Sequence, residues 1–334
     1  MNCLVLGAGA WGTAMALHLH RCGHAVTLAP RRLEQALALA SSRENSDYLP
    51  GFKLPHSIQI GSEIAPLLME AEALFFATPA KALRQLAESV AAQREAAWQL
   101  RYTIALCKGV EAETHKLPCE VLDEVFPDLI NGVLSGPTFA HEVAAQKPTA
   151  VVLAMAAESA PEFQAAVSNQ SMRAYWTADR VGVELGATLK NIYAIGAGIC
   201  DGLDLGANAK AAYITRVLQE MITVGVALGG QAETFYGLSG FGDLVATCHG
   251  PRSRNRTLGL ELAKGQSVDA VLSGRNTVTE GVAACRHLAA WCRERSVSAP
   301  ILTEIHAVLA GDKQPAEALQ SLMTRSLKAE TNGG

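Results

Sequence analysis

No stretch of about 18 uninterrupted apolar residues occurs in this 334-residue chain, so nothing in it is expected to span a bilayer. The first residues carry no basic run and no long apolar run. Met1 to Leu6 lead straight into a glycine turn, and no signal peptide is expected. Charge of one sign is also scarce. The net charge of −4 gives no general reason to expect nucleic-acid or membrane binding. The eight cysteines form no C-x-x-C pair, and Cys3, Cys107 and Cys200 lie in apolar runs. They read as reduced core residues of a cytosolic protein rather than as disulfide or zinc ligands. Internal repeats and low-complexity segments are missing, and only the tail after Lys328 looks loose.

What is present is an ordinary globular composition, 49% hydrophobic and 18% charged. A single core stops growing near ~250–300 residues, so two domains are expected. The most informative stretch is the first thirty residues. Asn2 to Leu6 reads as a short apolar strand, followed at once by Gly7-Ala8-Gly9-Ala10-Trp11-Gly12. Thr13 to Cys22 reads as a helix ended by Gly23, and Ala25 to Leu28 as a second strand. Strand, Gly-x-Gly-x-x-Gly turn, helix and strand stand in the order of a dinucleotide-binding unit. Gly7 permits the tight turn, Gly9 lets a pyrophosphate approach the backbone, and Gly12 lets the helix pack close. The free N–H groups at the helix start then face the anion.

After the second strand no acid appears before Glu34, and Arg31 and Arg32 stand where an NAD-selective site usually has Asp or Glu. Guanidinium groups suit a 2′-phosphate, which points to NADP(H), with NAD(H) also accepted. The other reading of the two arginines is a solvated helix start. Further strands are expected at 58–60, 73–77, 102–107, 132–135, 149–154 and 172–176, interleaved with helices. From about Gly182 the strand signal disappears. Residues 182–200, 206–229, 256–264, 268–273, 279–294 and 298–310 read as helices. The expected fold is α/β, a Rossmann-type N-terminal domain followed by an all-α C-terminal domain, divided as 1–181 and 182–334.

Several polar residues stand out against this frame. Lys108 ends a buried strand and is followed by glycine; it suits a phosphate or carboxylate at the cleft mouth, or is a surface lysine. Lys190 sits in an otherwise apolar helix beside Asn191. Desolvation lowers a lysine pKa toward neutrality, and such a lysine exchanges a proton with an alcohol or carbonyl oxygen. The other reading is a lysine snorkelling to solvent. Asp243 lies in Gly240-Phe241-Gly242-Asp243-Leu244, able to accept from substrate hydroxyls, to hold Lys190, or to make an Asx turn. Ser253, Arg254 and Asn255, in a three-arginine segment before a helix, make an anion site or a basic surface loop. Glu280 contacts a nicotinamide or ribose, or is simply an acid at a helix start. His141 and Glu142 have no third ligand nearby, so no metal is expected.

The quoted residues, taken together, resemble a known family over nearly the whole chain. They are Gly7 to Ala14, Asn45…Tyr48-Leu49-Pro50-Gly51, Cys107 to Glu111, Ser135 to Ala140 with Glu142-Val143, and Leu189-Lys190-Asn191. Gly242-Asp243-Leu244…Thr247-Cys248, Ser253-Arg254-Asn255 and Glu280-Gly281 complete the set. The chain is similar to bacterial NAD(P)-dependent glycerol-3-phosphate dehydrogenases. The resemblance implies reversible reduction of dihydroxyacetone phosphate to sn-glycerol 3-phosphate, a precursor of phospholipids, by a cytoplasmic homodimer. It implies Lys190 as the proton donor and acceptor. Lys108, Gly136, Thr138, Asp243, Ser253, Arg254 and Asn255 are implied around the substrate. Trp11, Arg31, Ala140, Arg254, Val278 and Glu280 are implied at the nucleotide, with Lys108 and Tyr48 near it, beside Gly7, Gly9, Ala10, Gly12 and Arg32 of the glycine turn and the arginine pair. Ala29-Pro30 departs from the family's aromatic-led sequence after the second strand. Two other classes compete with this reading: a two-domain dehydrogenase for a hydroxy acid without phosphate, and a non-catalytic NADP(H) sensor. The Ser253-Arg254-Asn255 cluster argues against the first, and Lys190 with Asp243 against the second.

Overall fold

The computed structural model describes residues 1–251, 253–273, 280–327 and 329–330. The chain divides into two compact units. One comprises Met1–Thr188 and Leu228–Asp243, the other Leu189–Ala227 and Leu244–Gly334.

The first unit is built on an eight-stranded sheet: β1 (Asn2–Leu6), β2 (Ala25–Ala29), β3 (Gln59–Ile60), β4 (Ala73–Phe76), β5 (Tyr102–Ala105), β6 (Ile130–Ser135), β7 (Thr149–Ala154) and β8 (Met172–Thr177). The strand order is β3-β2-β1-β4-β5-β6-β7-β8. Every neighbouring pair is parallel except β6 with β7, where Leu134 faces Leu153 in antiparallel register. Interleaved are α1 (Ala10–Arg21), α2 (Leu33–Ser42), α3 (Ile64–Leu68), α4 (Leu83–Ala91), α5 (Pro118–Val125), α6 (Ala140–Ala144) and α7 (Ala160–Ala166).

The central strands are apolar runs because helices cover both sheet faces. The two-residue period of a strand then splits each run between two cores. Val5 and Phe75 belong to one, with Leu28, Ile104 and Phe163. Leu4, Leu6, Leu74 and Phe76 belong to the other, with Val90, Leu122 and Phe126. Strand order reverses at β1 and β4, and ligands of such sheets bind outside the carboxyl ends of the strands at that point. The glycine turn follows β1 there.

Helix α8 (Arg180–Gly202) is continuous from the first unit into the second. Within the first unit its start is anchored at two places. Asp179 accepts from the Gly182 and Gln231 amides and from the Thr234 hydroxyl. Glu184, 3% exposed, accepts from the Cys119 N–H at 2.7 Å, at the start of α5. Burial pushes the Glu184 carboxyl up to about 8.

The remaining helices are α9 (Gly206–Ala227), α10 (Ala232–Tyr236), α11 (Asp243–His249), α12 (Arg254–Ala263), α13 (Val268–Ser273), α14 (Glu280–Glu294), α15 (Pro300–Ala310) and α16 (Pro315–Met323). In the second unit α8 and α12 cross backbone to backbone. A β-carbon on Gly198 would lie 1.9 Å from the Arg256 carbonyl oxygen, and one on Gly259 would lie 1.8 Å from that of Ile195. Glu220 on α9 accepts from the Ile301 and Leu302 amides at 2.8 and 2.7 Å and from the Tyr193 hydroxyl at 3.0 Å. A carboxylate thus satisfies the N–H groups at the start of α15, where a helix has no partners of its own.

The expected α/β half followed by a helical half is what the structure shows. Several elements differ in detail. Helix α1 starts at Ala10 rather than Thr13, because Gly9 already takes the cap position. Helices α10, α11 and α16 and a π turn over Leu238–Gly242 lie in stretches with no helical expectation. Among the described residues no helix is long and apolar enough to cross a membrane.

Candidate active site

The glycine turn is shaped by contacts that exclude side chains. Gly7 takes φ +109°, a conformation that L side chains rarely adopt, and its N–H donates to the Ala29 carbonyl at 2.8 Å. At Gly12 a β-carbon would lie 1.9 Å from the Gly7 carbonyl oxygen and 2.9 Å from the Ala77 β-carbon. Gly9 is the opposite case. A β-carbon there would meet nothing within 4 Å, so the space over the turn is open. Gly9 is the N-cap of α1, no acidic residue stands in the first turn, and Thr13 makes the first helical bond back to the Gly9 carbonyl at 3.0 Å. An open concavity at the positive end of a helix, with no carboxylate near its start, fits the pyrophosphate of a dinucleotide.

The other nucleotide candidates fall as follows. Ala10 opens α1, and Trp11 and Ala140 are partly buried against the core. Arg31 and Arg32 are exposed at the carboxyl end of β2, and Tyr48 is exposed in the loop after α2. Val278 lies outside the described residues, while Glu280 is the first residue of α14.

The first unit gathers four of the substrate candidates. Lys108 donates to an Asp243 carboxylate oxygen at 2.6 Å and to the Gly136 carbonyl at 3.3 Å. Thr138 donates to the same carbonyl at 3.1 Å. Gly136 sits at φ +138° with its α-carbon side tight against Ala150 and Val151. Asp243 is 2% exposed and follows directly on the π turn, a distortion that often marks functional positions. The pair neutralises charge: a half-buried ammonium offsets a buried carboxylate, and a phosphate or ketone oxygen nearby meets donors rather than a bare anion. Neither residue's local sequence suggests that Lys108 and Asp243 meet.

The second unit holds the rest. Lys190 is 7% exposed on α8, and its Nζ donates to the Thr247 hydroxyl of α11 at 2.8 Å. Snorkelling to solvent is excluded by that burial. One residue along, the Asn191 amide oxygen accepts from Asn255 Nδ2 at 3.0 Å. Ser253 is the N-cap of α12, its hydroxyl accepting from the Arg256 amide at 3.3 Å. Arg254 is exposed in the first turn of α12, while Asn255 is buried, with its Oδ1 making no hydrogen bond among the described residues. A helix start offering N–H groups, an amide and a guanidinium can hold an anion.

Of the three arginines between His249 and Arg256, two fall inside α12, and Arg252 lies outside the described residues. Arg256 is held by Asp201 at 2.5 Å, and Asp201 also binds Lys210. Of the two described arginines, Arg254 is therefore the one that presents its guanidinium to solvent. Thr247 stands in the quoted family motif but receives no role from the sequence, because a lone threonine carries no local signal of the side chain it will meet. Among the described residues no group of three or more His, Cys, Asp or Glu could hold a metal ion.

Comparison with known proteins bears on the whole chain. Residues 2–161 match the model for the N-terminus, and residues 179–320 that for the C-terminus, of NAD-dependent glycerol-3-phosphate dehydrogenase. The glycerol-3-phosphate dehydrogenase [NAD(P)+] of Delftia acidovorans is 45% identical over 99% of this chain and 100% of its own. That of Thiobacillus denitrificans is 44% identical with the same coverage. The crystal structure of the enzyme from Coxiella burnetii superposes with a TM-score of 0.90 at 33% identity, over 97% of this chain and 99% of that one. A glycine-turn dinucleotide unit, a charge-paired lysine, a buried helical lysine and these full-length matches all agree: the chain belongs to the NAD-dependent glycerol-3-phosphate dehydrogenase family.

Proposed function

We propose that this chain reversibly reduces dihydroxyacetone phosphate to sn-glycerol 3-phosphate with NAD(P)H, supplying glycerophospholipid synthesis. The observation that carries the reading is Lys190, an ammonium buried in an apolar helix and held by a hydroxyl. Burial of a charge in this way costs stability and persists where chemistry needs it. Residues 1–181 act as the dinucleotide-binding domain and 182–334 as the helical substrate-binding domain. The protein works as a cytoplasmic homodimer.

Gly7, Gly9, Ala10, Trp11 and Gly12 hold the pyrophosphate side of the nucleotide. Arg31 and Arg32 favour a 2′-phosphate, giving a preference for NADP(H). Tyr48, Lys108, Ala140, Arg254, Val278 and Glu280 complete its contacts. When bound, the nicotinamide supplies or takes up the hydride. Lys190 gives its proton to the alkoxide oxygen as negative charge develops there, and takes it back in the reverse direction. The ammonium also stabilises that charge in the transition state. Arg254, Asn255 and Ser253 hold the phosphate, and the binding energy of that end orients the ketone. Lys108, Gly136, Thr138 and Asp243 orient the carbonyl and hydroxyl oxygens.

The test follows NADPH absorbance with dihydroxyacetone phosphate, for the parent and for Lys190→Ala. Oxidation of NADPH by the parent is expected, with kcat of the variant lower by about 10²–10⁴, the range for lost acid–base catalysis. A variant turning over at the parental rate would dismiss Lys190 from the role.

A further inference from the structure

The carbonyl of Ala8, inside the glycine turn, is held by two side-chain amides from outside it. Gln35 Nε2, on α2, donates to it at 2.9 Å, and Asn45 Nδ2 donates to it at 2.9 Å. The second hydrogen of Asn45 Nδ2 goes to the Thr13 hydroxyl of α1 at 2.7 Å. Asn45 is 3% exposed, so this is an interior fixture rather than a surface contact. The amide orientation follows from chemistry: only a nitrogen can face a carbonyl oxygen at this distance without repulsion.

The consequence lies on the other side of the same peptide bond. In a trans peptide the C=O of Ala8 and the N–H of Gly9 point in opposite directions. Pinning the oxygen toward Asn45 and Gln35 therefore aims the Gly9 N–H away from them. Glycine makes this pinning necessary. The flip of the Ala8–Gly9 peptide passes through φ of Gly9, and glycine accepts either sign of φ at little cost. A turn that needs glycine for close approach is thereby free to point its donor the wrong way.

We infer that Asn45 and Gln35 are positioning residues for the nucleotide, which lock the Ala8–Gly9 peptide in the orientation that offers its N–H to the pyrophosphate. The inference rests on the dinucleotide reading of the turn. Asn45 also ties in the loop that follows α2. Its own carbonyl accepts from the Tyr48 and Leu49 amides at 3.3 and 2.7 Å. That loop is braced further by Arg43, which donates to the Leu54 and Ile58 carbonyls, and by Glu44, which accepts from the Gly51 amide and pairs with Lys53. One residue thus couples the pyrophosphate turn to the loop bearing Tyr48.

The experiment measures dissociation constants of NADPH and ADP by fluorescence and calorimetry for the parent, Asn45→Ala, Gln35→Ala and Asn45→Asp. Each alanine variant is expected to weaken both nucleotides by about threefold to tenfold, the value of one hydrogen bond. Asn45→Asp is expected to be weaker still, since a carboxylate opposes the Ala8 carbonyl and cannot donate to it. Saturation with dihydroxyacetone phosphate is the contrast: general loosening weakens both kinds of ligand, whereas the proposed role weakens the nucleotide alone. Parental nucleotide affinity in Gln35→Ala and Asn45→Ala, with only a lower melting temperature, overturns the inference. Should Asn45→Ala not fold, Gln35→Ala decides alone, because that side chain is half-buried and, among the described residues, hydrogen-bonds at this contact alone. A parent that binds neither NADPH nor ADP would overturn the dinucleotide reading itself, and the inference with it.

Discussion

Replacing Glu184 by glutamine should abolish one specific component of the pH dependence of stability. The carboxyl is buried at the start of α8, accepts from the Cys119 amide, and is pushed up to about 8 mainly by burial. In the unfolded chain it titrates near ~4.3. Between those values the native state holds a proton that the unfolded state has released. Stability therefore falls as pH rises, by about 1.4 kcal/mol per pH unit for one proton. The contribution is complete below about pH 4.3 and is lost as pH passes through about 8. The glutamine side chain would keep the shape and the acceptor oxygen for Cys119 but cannot ionise. The parent and Glu184→Gln should thus be similar near pH 5. By about pH 7 the variant should be more stable, relative to the parent, by about 3 kcal/mol. Urea unfolding of both proteins across this range gives the comparison, and subtraction removes every titration they share. Parallel curves over the whole range would show that Glu184 is ionised in the folded protein, and the reasoning from burial would fail.

Three further outcomes follow from the geometry. Arg254→Ala should raise KM for dihydroxyacetone phosphate by about tenfold or more while changing kcat less, since one charge-assisted contact to the phosphate is lost; an unchanged saturation curve rejects the phosphate assignment. Arg31→Ala with Arg32→Ala should cost affinity for NADPH about tenfold and leave NADH nearly as before, read from side-by-side saturation with the two nucleotides; equal losses would mean that neither arginine touches the 2′ position. Gly259→Ala drives a β-carbon to 1.8 Å from the Ile195 carbonyl oxygen. It should cost about 1–3 kcal/mol in thermal or urea unfolding and lower kcat/KM as well, because α8 and α12 carry Asn191 and Asn255.

Much of the first unit was legible because its signals are local. A buried apolar run, a glycine turn and a helix within thirty residues announce themselves by spacing alone, and Lys190 announces itself by standing in an apolar helix. The matched pair Lys108 and Asp243 did not, since 135 residues separate them and each looks like a turn residue in its own neighbourhood. The π turn at Leu238–Gly242 was invisible for a related reason. Gly240 and Gly242 are two of its five residues and Gly237 precedes it, so the stretch reads as loop by propensity, and tertiary packing overrides that preference. Thr247 and the pairing of Arg256 with Asp201 were hidden likewise. A hydroxyl in a helix and an arginine in a basic run take their meaning from the partner across the packing interface, which only the folded chain supplies.

The crossing of α8 with α12 has an evolutionary corollary. Where two helices meet through side chains, drift among Leu, Ile and Met can slide one past the other by fractions of an ångström. Here main chain rests on main chain at Gly198 and Gly259, so no larger residue can be tried at either position without prising the helices apart. The gap across which Asn191 and Asn255 reach each other is consequently closed to gradual retuning, and selection on substrate fit must act through the outward-facing residues around it.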